Sequence, residues 1–123
     1  MKIETTQILQ SNLEEVWDSL HNEQVLRECI PGCESLVKTS DNSYSVTIRI
    51  KISAVTGKYT GSIQIQNVSP LKQYTMVVEG TGSGGTVKAE VTLSFNQVKE
   101  GTEINVSGDA TVSGIIARVG QRI

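Results

Sequence analysis

The chain has 123 residues, 37% hydrophobic and 20% charged, which suits one domain over residues 1–123 and leaves little room for a second. Eleven Lys and Arg against 13 Asp and Glu give a net charge of -2, scattered along the sequence, so no nucleic-acid partner is expected. No apolar stretch approaches the roughly 20 residues that span a bilayer, and no basic-then-apolar leader opens the chain, so the expected location is cytoplasmic.

Residues 2–9 read as a first strand, although Thr5, Thr6 and Gln7 blur its alternation. Asn12 with Glu15 three positions later opens a helix on which Leu13, Val16, Trp17 and Leu20 share one face. Asn22 caps a second short helix that turns Val25, Leu26 and Cys29 inward. Pro31-Gly32 ends it, because proline disfavours the α conformation in Ile30. The period then changes to two. Tyr44, Val46, Ile48, Ile50 and Ile52 alternate with polar residues, as do Tyr59, Gly61, Ile63 and Ile65, and residues 54–57 join the two runs as a hairpin. Residues 67–72, with Pro70 inside, read as the next turn. Gln73 to Gly80 form a third run with Tyr74, Met76 and Val78 inward. Val87, Ala89, Val91, Leu93 and Phe95 form a fourth, and Ile104, Val106, Gly108, Ala110 and Val112 mark the inward register of a fifth. Short turns between all five predict an antiparallel meander, hence an α+β fold.

Gly114 to Ile123 return to helical spacing, with Ile115, Ile116, Val119 and Ile123 on one face. Ten helical residues reach about 15 Å, against roughly 30 Å for a nine-residue strand. Such a helix stops halfway across the sheet, and the apolar area left over exceeds the roughly 400 Å² that soluble monomers tolerate. A C-terminal extension, a second copy of the chain or a bound apolar ligand would have to cover it.

Few side chains invite chemistry. Cys29 and Cys33 could contribute to a zinc site, but a closed site needs four ligands and His21 is the sole histidine, so no metal is expected. The pair reads as two small side chains around a helix-ending turn. His21 lies where its imidazole meets the last carbonyls of the first helix, a capping position. The glycine-rich run from Gly80 to Gly85 lies between two strands rather than before a helix, so it reads as a flexible hairpin tip and not as a phosphate cradle. Glu79 and Glu90 fall on polar faces, where ion pairing or solvation suits them better than acid–base work. No cofactor is expected. What remains is a concave apolar face poor in large side chains, since only 4% of the residues are aromatic and 11 are glycine. Close packing needs volume, and small-molecule sites are mostly apolar, so unfilled space here reads as a pocket.

The blocks Glu15-Val16-Trp17, Val25 to Leu36 with Ile30-Pro31-Gly32-Cys33 inside, Gly57-Lys58-Tyr59-Thr60-Gly61, and Gly114 with Gly120-Gln121-Arg122 occur in order over nearly the whole chain. In these blocks the chain resembles the carbon monoxide dehydrogenase G-subunit family, within the START-like, plant-allergen-like (SRPBCC) helix-grip superfamily. The resemblance implies a curved antiparallel sheet gripping a long C-terminal helix, with an apolar cavity between them. It implies an accessory protein of a carbon monoxide dehydrogenase-type molybdenum hydroxylase, with a lipid or quinone as guest. The family helix runs on past Gly-Gln-Arg, so a truncated C-terminal helix is expected here, with membrane contact only through sequence that the chain lacks.

The expected function is therefore non-catalytic binding of an apolar small molecule. Ile48, Ile50, Tyr59, Ile63, Met76, Val78, Val91 and Leu93 would line the pocket, and Ile116 and Val119 would form its partial lid. Two alternatives stand beside it. One is a helix-grip enzyme of cyclase or aromatase type, which would need ionisable groups inside the cavity. The other is an interaction module whose groove accepts a helix in trans, including a homodimer covering the open face.

Overall fold

In the computed structural model, residues 1–51 and 56–114 are described. The expected C-terminal helix, with Ile116 and Val119, lies outside them, as does Ile52.

Nine elements follow one another: β1 (Lys2–Leu9), α1 (Leu13–Ser19), α2 (Glu23–Cys29), β2 (Cys33–Ser40), β3 (Ser43–Ile50), β4 (Gly57–Ser69), β5 (Gln73–Gly82), β6 (Gly85–Val98) and β7 (Gly101–Gly114). The strands form one antiparallel sheet in the order β1-β7-β6-β5-β4-β3-β2. Strands β3 to β7 are thus the expected meander, β2 extends it at one edge, and β1 returns to pair with β7 from Lys2↔Asp109 to Leu9↔Thr102. Two short helices and a curved sheet match the helix-grip order as far as the chain is described.

Both helices start where the capping logic puts them. Asn12 Oδ1 accepts the Glu15 N–H at 2.9 Å and Asn22 Oδ1 accepts that of Val25 at 3.2 Å. Each bond satisfies one amide that a helix start leaves without a partner. Seven-residue helices have little intrinsic stability, so either Asn→Ala change is expected to cost about 1 kcal/mol, read as a lower midpoint of urea unfolding. Ile30, before Pro31, is extended (φ -89, ψ 114), and Gly32 at φ +75 turns the chain into β2.

Four details differ from the sequence reading. Strand β2 is additional to the five alternating runs. It is an edge strand with one buried residue, Leu36, and its register shifts on either side of residues 35–38, so no clean alternation marks it. Strand β4 continues through Asn67 to Ser69 by way of a register shift, with Asn67 at φ 53, which shortens the expected turn to residues 70–72. The glycine-rich run is mostly strand, since β5 reaches Gly82 and β6 begins at Gly85. Cys29, expected to face inward, is exposed, because it is the last residue of α2 and the chain turns away immediately after it.

The core gathers on one face of the sheet. Leu36, Tyr44, Val46, Ile63, Ile65, Tyr74, Phe95 and Ile104 pack with Val16 of α1, and Trp17, Leu20 and Leu26 close over them. Apolar burial on this scale, at about 25 cal/mol per Å², is what holds such short helices down.

Candidate functional site

Antiparallel registry puts directly paired residues on the same face, so the inner surface can be read row by row. Tyr74 pairs with Leu93 and Leu93 with Val106; Ile65 with Met76, Met76 with Val91 and Val91 with Gly108. The next row runs Tyr44, Ile63, Val78, Ala89, Ala110, then Val46, Gly61, Gly80, Val87, Val112, then Ile48, Tyr59, Gly82, Gly85, Gly114. Every one of Ile48, Ile50, Tyr59, Ile63, Met76, Val78, Val91 and Leu93 is on this inner face, as its period predicts, but Ile63 belongs to the core, Ile48, Met76, Val78 and Leu93 pack against it, and Tyr59 and Val91 are buried as well. The rows contain no charged residue.

The two ends of that face differ. At the end covered by α1, aromatic rings fill the space. Trp17 stands edge-on to Tyr74 and Phe95 at centroid separations of 5.4 and 5.0 Å, and His21 lies 5.2 Å from Tyr74. His21 Nδ1 donates to the Trp17 carbonyl at 2.7 Å, the helix-end role expected of it. The Tyr44 hydroxyl donates to the His21 carbonyl at 3.5 Å. Tyr44 and Tyr74 are thus core, 2% and 1% exposed.

Burial, aided by the neighbouring Tyr44, pushes the Tyr74 phenol up to about 12. The sign follows from proton counting. Between the ordinary value of 10.0 and about 12 the unfolded chain has lost this proton while the folded chain keeps it. Stability is therefore intact below pH 10 and falls by about 1.4 kcal/mol per pH unit above it. Tyr74→Phe is expected to remove that part of the alkaline loss, measured by urea unfolding against pH.

At the other end, glycine replaces the aromatic rings. Gly61 pairs with Gly80, and one row further on Gly82 pairs with Gly85 and Gly85 with Gly114. Four strands there carry no side chain at these positions, so the inner face lies lower there than at the neighbouring Ile48, Val78, Val87 and Val112, while Ile63 is part of the packed core. Tyr59 lies across the far rim of this hollow: a Cβ at Gly82 would fall 2.2 Å from the ring, and the hydroxyl accepts the buried Gly84 N–H at 3.1 Å. The Tyr59 hydroxyl thus ties the β5–β6 tip to β4.

Two further cavities lie elsewhere. One of about 230 Å³ opens between α1, α2 and the end of β1, against Leu9, Val16, Leu20, Val25 and Cys29. The other, about 280 Å³, lies on the β5–β6 hairpin around Glu79, Gly80, Thr81, Thr86, Val87 and Lys88, so it shares Gly80 and Val87 with the glycine-rich end but is otherwise lined by polar residues of the outer register. Neither includes any of the residues expected from the sequence to line a pocket. Among the described residues, no group of three or more His, Cys, Asp or Glu is placed to hold a metal ion.

The family model of the carbon monoxide dehydrogenase G-subunit (CoxG) matches residues 6–123. The chain belongs to this family. No curated protein sequence matches it. Among solved structures, a conserved protein from Geobacillus kaustophilus is 32% identical and superposes with a TM-score of 0.92, over 99% of this chain and 81% of that one. A protein from Rhizobium leguminosarum, 11% identical, superposes at 0.73 over 98% and 85% of the two chains. One from Chromobacterium violaceum, also 11% identical, superposes at 0.70 over 98% and 89%. The last two share the fold and carry no more than that.

Two of the blocks that carry the CoxG resemblance sit at structural junctions. Ile30-Pro31-Gly32-Cys33 is the passage from α2 into β2, and a Cβ at Gly32 would lie 2.4 Å from the Arg49 carbonyl oxygen. Gly57 to Gly61 opens β4 and carries both Tyr59 and the first glycine of the hollow. The paired glycines themselves escaped sequence reading as a site. Their signal was present as glycine in the inward register, but which glycines face one another depends on strand registry.

Proposed function

We propose that this member of the CoxG family is a non-catalytic accessory protein. It holds an apolar small molecule of lipid or quinone type in the glycine-floored half of the inner face. Its partner in this reading is a carbon monoxide dehydrogenase-type molybdenum hydroxylase, in keeping with the family name.

The observation that supports the reading most is the asymmetry of the inner face. One half is filled by Trp17 and His21 together with Tyr74 and Phe95 of the sheet, and the other is floored by Gly61, Gly80, Gly82, Gly85 and Gly114 between aliphatic side chains. An apolar guest would gain about 25 cal/mol per Å² of surface removed from water. Acid–base catalysis would need an ionisable group positioned on a substrate, and the paired inner registers of β3 to β7 offer no carboxylate, histidine or lysine. Their polar groups at this end reduce to the Tyr59 hydroxyl, which already holds the Gly84 amide.

Native extraction followed by mass spectrometry tests the reading. The expected result is a co-purified apolar compound, together with uptake of a hydrophobic dye that competes with it. Gly80→Leu would fill the hollow and is expected to reduce dye uptake at least tenfold while the protein stays folded. A protein that extracts empty and takes up no dye would overturn the reading.

A further inference from the structure

The two short helices turn one face to the core and another to a groove. Trp17 and Leu20 of α1 and Leu26 of α2 pack inward, whereas Val25 lines the groove between the helices and the end of β1. Glu15 and Ser19 stand one turn apart on α1, as do Val25 and Cys29 on α2, so each helix supplies one wall. Val16, 4% exposed, lies at the bottom, and Leu9, 41% exposed, closes the end. The volume of about 230 Å³ falls short of the roughly 300–1,000 Å³ of small-molecule sites and exceeds the roughly 150 Å³ that holds a benzene ring. One aromatic or branched aliphatic side chain fits such a space.

The rim is acidic. Glu15 lines the groove, Glu14 and Asp18 adjoin the lining residues Glu15 and Ser19, and Glu28 adjoins Cys29. All four are exposed, and among the described residues the ion pairs are Arg49 with Glu34 and Lys88 with Glu79, which include none of them. Helix chemistry accounts for Glu14 and Glu15, because carboxylates in a first turn suit the positive end of the helix dipole. It does not account for Asp18 and Glu28. Each stands near the end of its helix, where the dipole favours cations. Arg27 is the single Lys or Arg of the two helices, and its Nη2 donates to the Glu34 carbonyl on β2 at 3.0 Å. The β6–β7 turn, whose Gly101 abuts Leu9 and Ser11, adds Lys99 and Glu100, which cancel.

An apolar slot with a negative rim is complementary to an apolar side chain flanked by cations. We propose that this groove docks a lysine- or arginine-rich segment of a partner protein. The segment seats one large apolar side chain against Val16, Leu20 and Val25 and sets its cations against Glu15, Asp18 and Glu28. Leu9 pairs with Thr102 beside the β6–β7 turn, whereas Gly82 and Gly85 pair at the β5–β6 tip, so the groove and the glycine-floored hollow lie at opposite ends of the sheet. A docked partner and an apolar guest therefore do not compete, and the docking stands or falls apart from the carrier reading.

Amide chemical-shift mapping of the full chain tests it, with a short lysine-rich peptide carrying a central phenylalanine as probe. The shifts are expected at Leu9 to Leu20 and at Val25 to Cys29. Alanine in place of the central phenylalanine is expected to weaken binding about tenfold, the loss of one buried anchor. A glutamate-rich peptide with the same phenylalanine is expected not to bind. Glu15→Gln with Glu28→Gln is expected to weaken binding of the first probe about fivefold, the strength of two exposed ion pairs. Glu90→Gln with Asp109→Asn makes the same change in net charge on the outer face, where these two residues pair, and is expected to leave binding unchanged. Equal loss in both variants, equal binding of the alanine probe, no binding of the first probe, or shifts confined to other parts of the chain overturn the proposal. So do concentration-dependent shifts at the same amides without peptide, which would assign the groove to a second copy of the chain. Dye uptake by the Glu15→Gln, Glu28→Gln variant is expected to be unchanged, so failure of the groove and failure of the carrier reading register separately.

Discussion

Tyr74→Ala is expected to destabilise the protein by about 3–5 kcal/mol, the range for truncating a large buried aromatic. Against a total of roughly 5–15 kcal/mol for a domain, that is enough to leave a sizeable unfolded population. The reason is local and geometric. Tyr74 is 1% exposed and its ring meets Trp17, His21 and Phe95, with centroids 5.2 to 5.6 Å away. Loss of the ring opens a cavity and removes the contact by which α1 rests on β5. Met76→Leu, two residues along the same strand face, conserves volume and is expected to cost under about 1.5 kcal/mol. Urea unfolding followed by tryptophan fluorescence reads both, because Trp17 reports directly on the packing of α1. If Tyr74→Ala proved as mild as Met76→Leu, the aromatic cluster would not be what fastens the helix.

Gly61 and Gly80 face each other across β4 and β5, yet opposite outcomes are expected for them. A Cβ on Gly61 would lie 1.9 Å from the Glu79 carbonyl oxygen and 2.8 Å from the Gly80 Cα, both backbone atoms of the adjoining strand. Neither can swing aside as a side-chain tip can. Gly61→Val is therefore expected to cost more than about 4 kcal/mol, beyond the usual range for single changes, or to prevent folding. A Cβ on Gly80 meets nothing nearer than the Thr60 carbonyl oxygen at 3.8 Å. Gly80→Ala is expected to be neutral or to stabilise by roughly 0.5 kcal/mol, since alanine reduces the freedom of the unfolded chain. Thermal melts of the two variants decide the matter, and a Gly61→Val protein as stable as Gly80→Ala would contradict the close strand approach seen here.

Gly61 explains the shape of the site as well as its stability. Backbone approach this close is open to glycine alone, and it is repeated at Gly108, where a Cβ would lie 2.0 Å from the Glu90 carbonyl oxygen. Both glycines therefore fall where neighbouring strands come nearest, and at Gly61 the missing side chain also belongs to the glycine-floored end of the inner face. The Glu34–Arg49 ion pair depends on tertiary structure in a comparable way. Glu34 is aimed at Arg49 by a bulge that alternation in the sequence does not reveal, and Arg27 reaches it from a separate helix.

Sequence alone determined the elements whose cause is local. Asn12 and Asn22 mark helix starts because a cap acts within three residues, and Pro31-Gly32 marks a stop for the same reason. The inner face of β3 to β7 was legible because side chains alternate strictly along a strand, so Ile48, Tyr59, Met76 and Val91 could be assigned to one face without knowing their neighbours. Only the tertiary structure decided what depends on registry between strands. It separated Tyr44 and Tyr74, sealed under α1, from Tyr59 at the rim, although all three fall in the same alternating phase. It also found β2, an edge strand with a single buried side chain, and set glycine opposite glycine. Periodicity along a chain carries the direction of each side chain, but which side chain meets it across the sheet is fixed by pairing between residues far apart in sequence.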